Sequence, residues 1–171
     1  KIYRADNPRA LCKDFMQYGI ARDTARRFKK DGANEFFIAC RDGVPAAVLR
    51  LLERNAVSGS QIEEGLIIAC RYVRPRCVDL LKAYVPEKAL SKSLYEATKG
   101  SPLRNKFSLD QDRAFIVQML IESKADVDAF TCMYKAAELG FVDVIKVFIT
   151  AKADVDRSTS NSGSSPIWVA A

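Results

Sequence analysis

Apolar residues recur along most of the chain at three- and four-residue spacing, the pattern of helices that each bury one face. Two kinds of segment alternate. The first reads apolar, bulky, any residue, then two small residues. It occurs as Phe36-Phe37-Ile38-Ala39-Cys40, Leu66-Ile67-Ile68-Ala69-Cys70, Leu94-Tyr95-Glu96-Ala97-Thr98, Met133-Tyr134-Lys135-Ala136-Ala137 and Ile167-Trp168-Val169-Ala170-Ala171. The small pairs start at 39, 69, 97, 136 and 170, in steps of 30, 28, 39 and 34 residues. The second kind is a Leu-rich, β-branched helix: Ala47–Leu52, Val78–Leu81, Ile116–Ile121 and Val144–Ile149. Gly43 and Gly140 fall between the two kinds, where a tight turn needs a permissive backbone. A period of this length predicts stacked two-helix units.

The unit resembles the ankyrin repeat. Its best copy runs from Thr131 to Asp156. Thr131-Cys132-Met133-Tyr134-Lys135-Ala136-Ala137-Glu138-Leu139-Gly140 stands where that family has Thr-Pro-Leu-His-x-Ala-Ala-x-x-Gly. Val142–Ile149 is similar to its second helix, and Lys152-Ala153-Asp154-Val155-Asp156 to the loop that follows. That loop recurs as Lys124-Ala125-Asp126-Val127-Asp128. Phe37, Ile67, Tyr95, Tyr134 and Trp168 replace the family's His, and Val73 replaces one turn glycine. The resemblance implies an all-α solenoid of about five repeats plus a partial C-terminal one. The expected units are 34–60, 61–90, 91–128 and 129–157, with a partial repeat at 163–171. Residues 101–111 read as an insertion between the two helices of one unit.

Residues 1–33 read as an N-terminal capping repeat with a polar outer face. Leu11, Phe15 and Tyr18 share one helical face, and Ala21, Ala25 and Phe28 another. A chain that starts at Lys1 suits a fragment or a processed protein. A stack that stops at Ala171 within a first helix is expected to continue or to have been trimmed.

With 49% apolar and 28% charged residues, the sequence supports one globular domain. No apolar run reaches the roughly 18 residues of a membrane span. The chain has no histidine and no Cys-x-x-Cys, so a zinc site and an imidazole base are not expected. Cys12, Cys40, Cys70, Cys77 and Cys132 read as small buried residues with free thiols, which suits a reducing cytoplasm or nucleus. Phosphate-binding and nucleophile-elbow motifs are absent. The close carboxylates Glu63-Glu64 and Asp110 with Asp112 read as loop or helix-start residues. Neither a catalytic role nor a cofactor is expected.

The net charge is +6, from 27 basic and 21 acidic residues, which favours an acidic partner over a basic one. Arg22–Lys30 holds five basic residues in nine and offers an alternative, nucleic-acid association through phosphates. Phe28 lies on its apolar face, which removes the stacking that single strands require. Phe37, Tyr95, Tyr134 and Trp168 recur at one repeat position and are expected to pack as a core ladder.

The ankyrin resemblance implies partner contacts at the residues following each small pair: Arg41 and Asp42, Arg71 and Tyr72, Lys99 and Gly100, Glu138 and Leu139. It adds one position on each connecting tip, giving Glu63, Ser91 and Phe130. The expected function is binding of a partner protein that carries an acidic strip and an apolar patch, as an adaptor or inhibitor. Divergent arrays of this kind also resemble those of pathogen proteins delivered into host cells.

Overall fold

The computed structural model describes residues 35–99, 110–128, 131–157 and 165–170. The expected cap at 1–33 with its basic stretch Arg22–Lys30, residues 100–109, Phe130 and Ala171 lie outside the described residues. The helices are α1 (Glu35–Asp42), α2 (Pro45–Glu53), α3 (Gly59–Arg71), α4 (Pro75–Leu81), α5 (Glu87–Thr98), α6 (Asp110–Glu122), α7 (Cys132–Leu139), α8 (Val142–Thr150) and α9 (Pro166–Ala170). A 3-10 turn, Lys82–Tyr84, follows α4, and no strand occurs among the described residues.

Local chemistry sets the helix starts. Pro45 and Pro75 stand in the first turns of α2 and α4, where a missing N–H costs nothing. At α3 the Ser58 hydroxyl accepts from the Gln61 N–H, and the Gln61 side chain reaches back to the Ser58 N–H. This capping box starts α3 earlier than the apolar pattern suggests. The expected boundaries at 61 and 91 therefore fall inside α3 and α5. Glu63 and Glu64, expected in a loop or at a helix start, sit in the second turn of α3.

Each odd-numbered helix from α1 to α7 pairs with the even one that follows, and like then stacks on like. Thus α1, α3, α5, α7 and α9 form one layer, and α2, α4, α6 and α8 the other. The interior lies between them. Phe36, Leu66, Leu94 and Met133 are buried from the first layer, and Val48, Val78, Val117, Val144 and Phe148 from the second. The small pairs let the layers approach: Ala39, Cys40, Ala69, Cys70, Ala97 and Ala136 are all fully buried.

The expected aromatic ladder is displaced from this core by one residue. Phe37, Tyr95 and Tyr134 are half-buried at its rim, and Trp168 is 72% exposed. A residue one step on from a core position is turned about 100° around the helix, so it cannot share the same contact.

The turns repeat as faithfully as the helices. Gly43, Val73 and Gly140 all have left-handed backbones, with φ of 77, 56 and 70°. In each turn an N–H closes back on the first small residue's carbonyl. Val44 donates to Ala39, Arg74 to Ala69 and Phe141 to Ala136, each at 2.9 Å. These are helix-closing bonds of the Schellman kind. At the far ends Asn55, Lys124 and Lys152 are left-handed too. Asp126 and Asp154 then accept from the N–H two residues on, at 2.9 and 3.0 Å. The Asp154 N–H also reaches the Asp128 carboxylate at 3.2 Å, tying one loop to the next.

Candidate protein-binding face

Because α1, α3, α5 and α7 stack, residues just before and just after the small pairs gather along one edge. Arg41 ends α1 with its guanidinium on Asp42, Nε to Oδ1 at 2.9 Å. Arg71, at the end of α3, donates from Nε and Nη2 to Glu96 Oε2 on α5, at 3.1 and 3.0 Å. Lys99 grips the other oxygen, Oε1, at 2.7 Å and lies 4.4 Å over the Tyr95 ring. On α7, Lys135 pairs with Glu138 at 2.5 Å. Tyr72 and Leu139 are half-buried beside these pairs.

The edge is therefore not the bare basic strip that the charge pattern suggests. Four cations meet three carboxylates, and each cation has a partner. Glu96 is the hub. It is buried to 7% exposure, which by itself would raise its pKa; the hydrogen bonds from Lys99 and Arg71 outweigh that and hold it below its ordinary value. The charges of this edge are thus preset by one another rather than carried on loose side chains.

Two tip residues do not reach a surface tip. Ser91 is buried inside α5, where its hydroxyl donates to Glu87 O and accepts from the Asp126 N–H. Glu63 is half-buried within α3. Both follow from helices that begin about a turn earlier than expected.

Two residues of the site carry no mark in the repeat pattern. One is Glu96, whose only signal is Lys99 three residues on. The other is Arg113, 2% exposed on α6, which donates from Nη1 to the carbonyls of Ala97 and Lys99. Its guanidinium lies 4.6 Å over the Phe141 ring. Burial lowers its pKa despite the nearby Asp110. Arg113 thereby fixes the end of α5, and with it Lys99. Its position on the same face as Ile116 and Val117, among apolar neighbours, was the available signal.

The described cysteines offer no reactive thiol. Cys40, Cys70, Cys77 and Cys132 are buried and unpaired, and burial pushes Cys77 and Cys132 up to about 12 and the other two higher still. A thiol held so far above neutrality is a packing group, not a nucleophile. Among the described residues no helix is long and apolar enough to cross a membrane, and no cluster of candidate metal ligands occurs.

No family model matches the chain, and no curated protein matches it.

Proposed function

We propose that the chain is a degenerate ankyrin-type repeat module that binds a partner protein across the edge formed by α1, α3, α5 and α7. The observation that carries this reading is the gathering of Arg71, Glu96 and Lys99 into one ion-paired cluster between neighbouring helices. Tyr95 lies under Lys99 of that cluster, and Phe37, Tyr72 and Tyr134 are likewise half-buried on or at the ends of the same layer of helices. Aromatic and Arg side chains held in place by their neighbours are the composition of interface hot spots. Pre-organisation lowers the ordering entropy lost on association. The Lys-Ala-Asp-Val-Asp loops, with matching backbones at 124–128 and 152–156, support the ankyrin assignment.

The binding is stoichiometric and uses no cofactor. Asp42, Glu96 and Glu138 answer the cations from within, so a partner's acidic strip would compete with them, and its apolar patch would supply most of the affinity. An adaptor or inhibitor works in this way.

The test is affinity capture from a eukaryotic lysate at low and high salt. The wild type is compared with a variant carrying Arg71→Glu, Tyr72→Ala and Glu138→Lys. One protein retained by the wild type at both salts and lost by the variant is the expected result. Nucleic acid retained only at low salt, equally by both chains, would overturn the reading and favour the Arg22–Lys30 stretch.

A further inference from the structure

A second recognition feature lies where α4 meets α6. A groove of about 410 Å³ is lined by Gly43, Arg74, Pro75, Arg76, Asp112 and Phe115, among others. That lies in the roughly 300–1,000 Å³ range of binding clefts. It uses none of the residues assigned above to the partner-binding edge.

Arg74 is set in place rather than merely exposed. Its Nε donates to Arg41 O at 2.8 Å. Its stem crosses Gly43 so closely that a Cβ there would meet Arg74 Cδ at 2.6 Å. Gly43 thus supplies both the left-handed turn and the room for this side chain. The two Nη groups have no partner among the described residues, and neither has Arg76, which is exposed. On the α6 side Phe115 is 55% exposed, an unusual state for a ring beside a cleft. Asp112 shares that side and is also without a partner among the described residues.

Two guanidiniums call for a carboxylate, which they can hold in a bidentate fork. The open ring calls for an apolar group beside it. Asp112 argues against a compact, highly charged anion and for a main chain whose N–H it can accept. We propose that this groove binds an acidic peptide segment of a partner protein, its carboxylate on Arg74 and Arg76 and its neighbouring apolar side chain on Phe115. The proposal does not depend on the α1–α7 edge. A partner using both surfaces would gain the avidity of two linked contacts.

The probe is a fluorescein-labelled, end-blocked peptide alternating glutamate with leucine and phenylalanine, followed by anisotropy at about 0.15 M salt, where surface charges are substantially screened. Saturable binding is expected. Arg76→Glu should weaken it about tenfold or more, and Phe115→Ala about fivefold, as losses of a charge-assisted bond and of an apolar contact imply. Both side chains are solvent-facing, so both variants should fold; circular dichroism verifies this. Lys88→Gln, exposed in the first turn of α5 and on neither surface, should leave the affinity within about twofold. Absence of saturable binding, equal binding of the Arg76→Glu chain, or equal binding of the same peptide with every glutamate replaced by glutamine would each overturn the proposal.

Discussion

In the hairpin of α3 and α4 the carbonyl of Ala69 receives the N–H of Arg74, five residues on; in that of α5 and α6 the equivalent carbonyl, Ala97, receives the guanidinium of Arg113, sixteen residues on. The first hairpin has a tight left-handed turn that brings its own backbone donor. The second has a connection of eleven residues, 99–109, against three, 72–74, and a side chain from the next helix takes over the closing bond. The consequence reaches the interior. Every buried polar or charged residue among those described, namely Ser91, Ser93, Glu96, Thr98 and Arg113, lies on α5 or α6. The buried residues of α3 and α4 are apolar or glycine. One altered connection thus changes a hairpin from an apolar joint into a polar one, because a buried cation needs acceptors around it.

The largest expected effect comes from removing that cation. Arg113→Met keeps a long apolar stem but leaves the Ala97 and Lys99 carbonyls without their donor. A buried acceptor left unpaired costs about 1–3 kcal/mol, so the loss should be about 3 kcal/mol in urea unfolding. Arg113→Lys, with a single ammonium for a fork, should fall between. A loss below about 1 kcal/mol for the Met variant would show that water closes α5 as well as Arg113 does, and the contrast between the hairpins would fail.

Next come two substitutions to alanine at matched positions, each four residues before the small pair. On α3 this is Gly65, where an added Cβ would sit 2.4 Å from Phe36 Cε1 and 3.1 Å from Cys40 Sγ. The Phe36 ring is 2% exposed and has nowhere to go. Gly65→Ala should therefore cost about 2 kcal/mol by overpacking, despite the roughly 1 kcal/mol that alanine gains in helix propensity. On α5 it is Ser93, fully buried with an unpartnered hydroxyl. Ser93→Ala should stabilise by about 1 kcal/mol, since it removes a desolvated polar group. Opposite signs in thermal or urea unfolding sustain the comparison; the same sign at both sites would break it.

Much of this was legible from residue types. The second helices lie where their apolar stripes put them, and Gly43 and Gly140 mark two turns. The Val73 turn was readable only by homology within the chain, because no local rule places valine at φ 56°; its 3% exposure supplies the compensation. A left-handed valine costs about 1–2 kcal/mol, and burying its side chain gains about 1.5–3. Val73→Gly should then destabilise by about 1 kcal/mol, where relief of strain alone would stabilise. Gly140→Ala, with open space around its Cβ, exposes the strain by itself and should cost about 1 kcal/mol. What the sequence could not show was which side chains pair between helices. Arg71 meets Glu96 across 25 residues and Arg113 meets Ala97 across 16, and a periodic pattern carries no information about which charges face each other. The tip residues were misplaced for a simpler reason: caps at Ser58 and Pro86 start α3 and α5 before the apolar pattern begins.

The smallest effect tests whether the polar hairpin and the proposed binding edge are one structure. Glu96→Gln keeps the shape and a carbonyl acceptor but removes the charge between Arg71 and Lys99. Both cations are partly exposed, so the change should cost only about 1 kcal/mol at neutral pH. Its pH dependence carries the information. The pKa of Glu96 is held below its ordinary 4.5, so its contribution is fully present above that value and is lost as pH falls through the lower, folded-state value. The gap between wild type and Glu96→Gln should therefore hold constant from neutrality down to about pH 5 and close only in stronger acid. A gap that closes well above pH 5 would mean that burial, which raises the pKa, outweighs the two cations. The cluster would then strain the hairpin rather than hold the binding edge in shape.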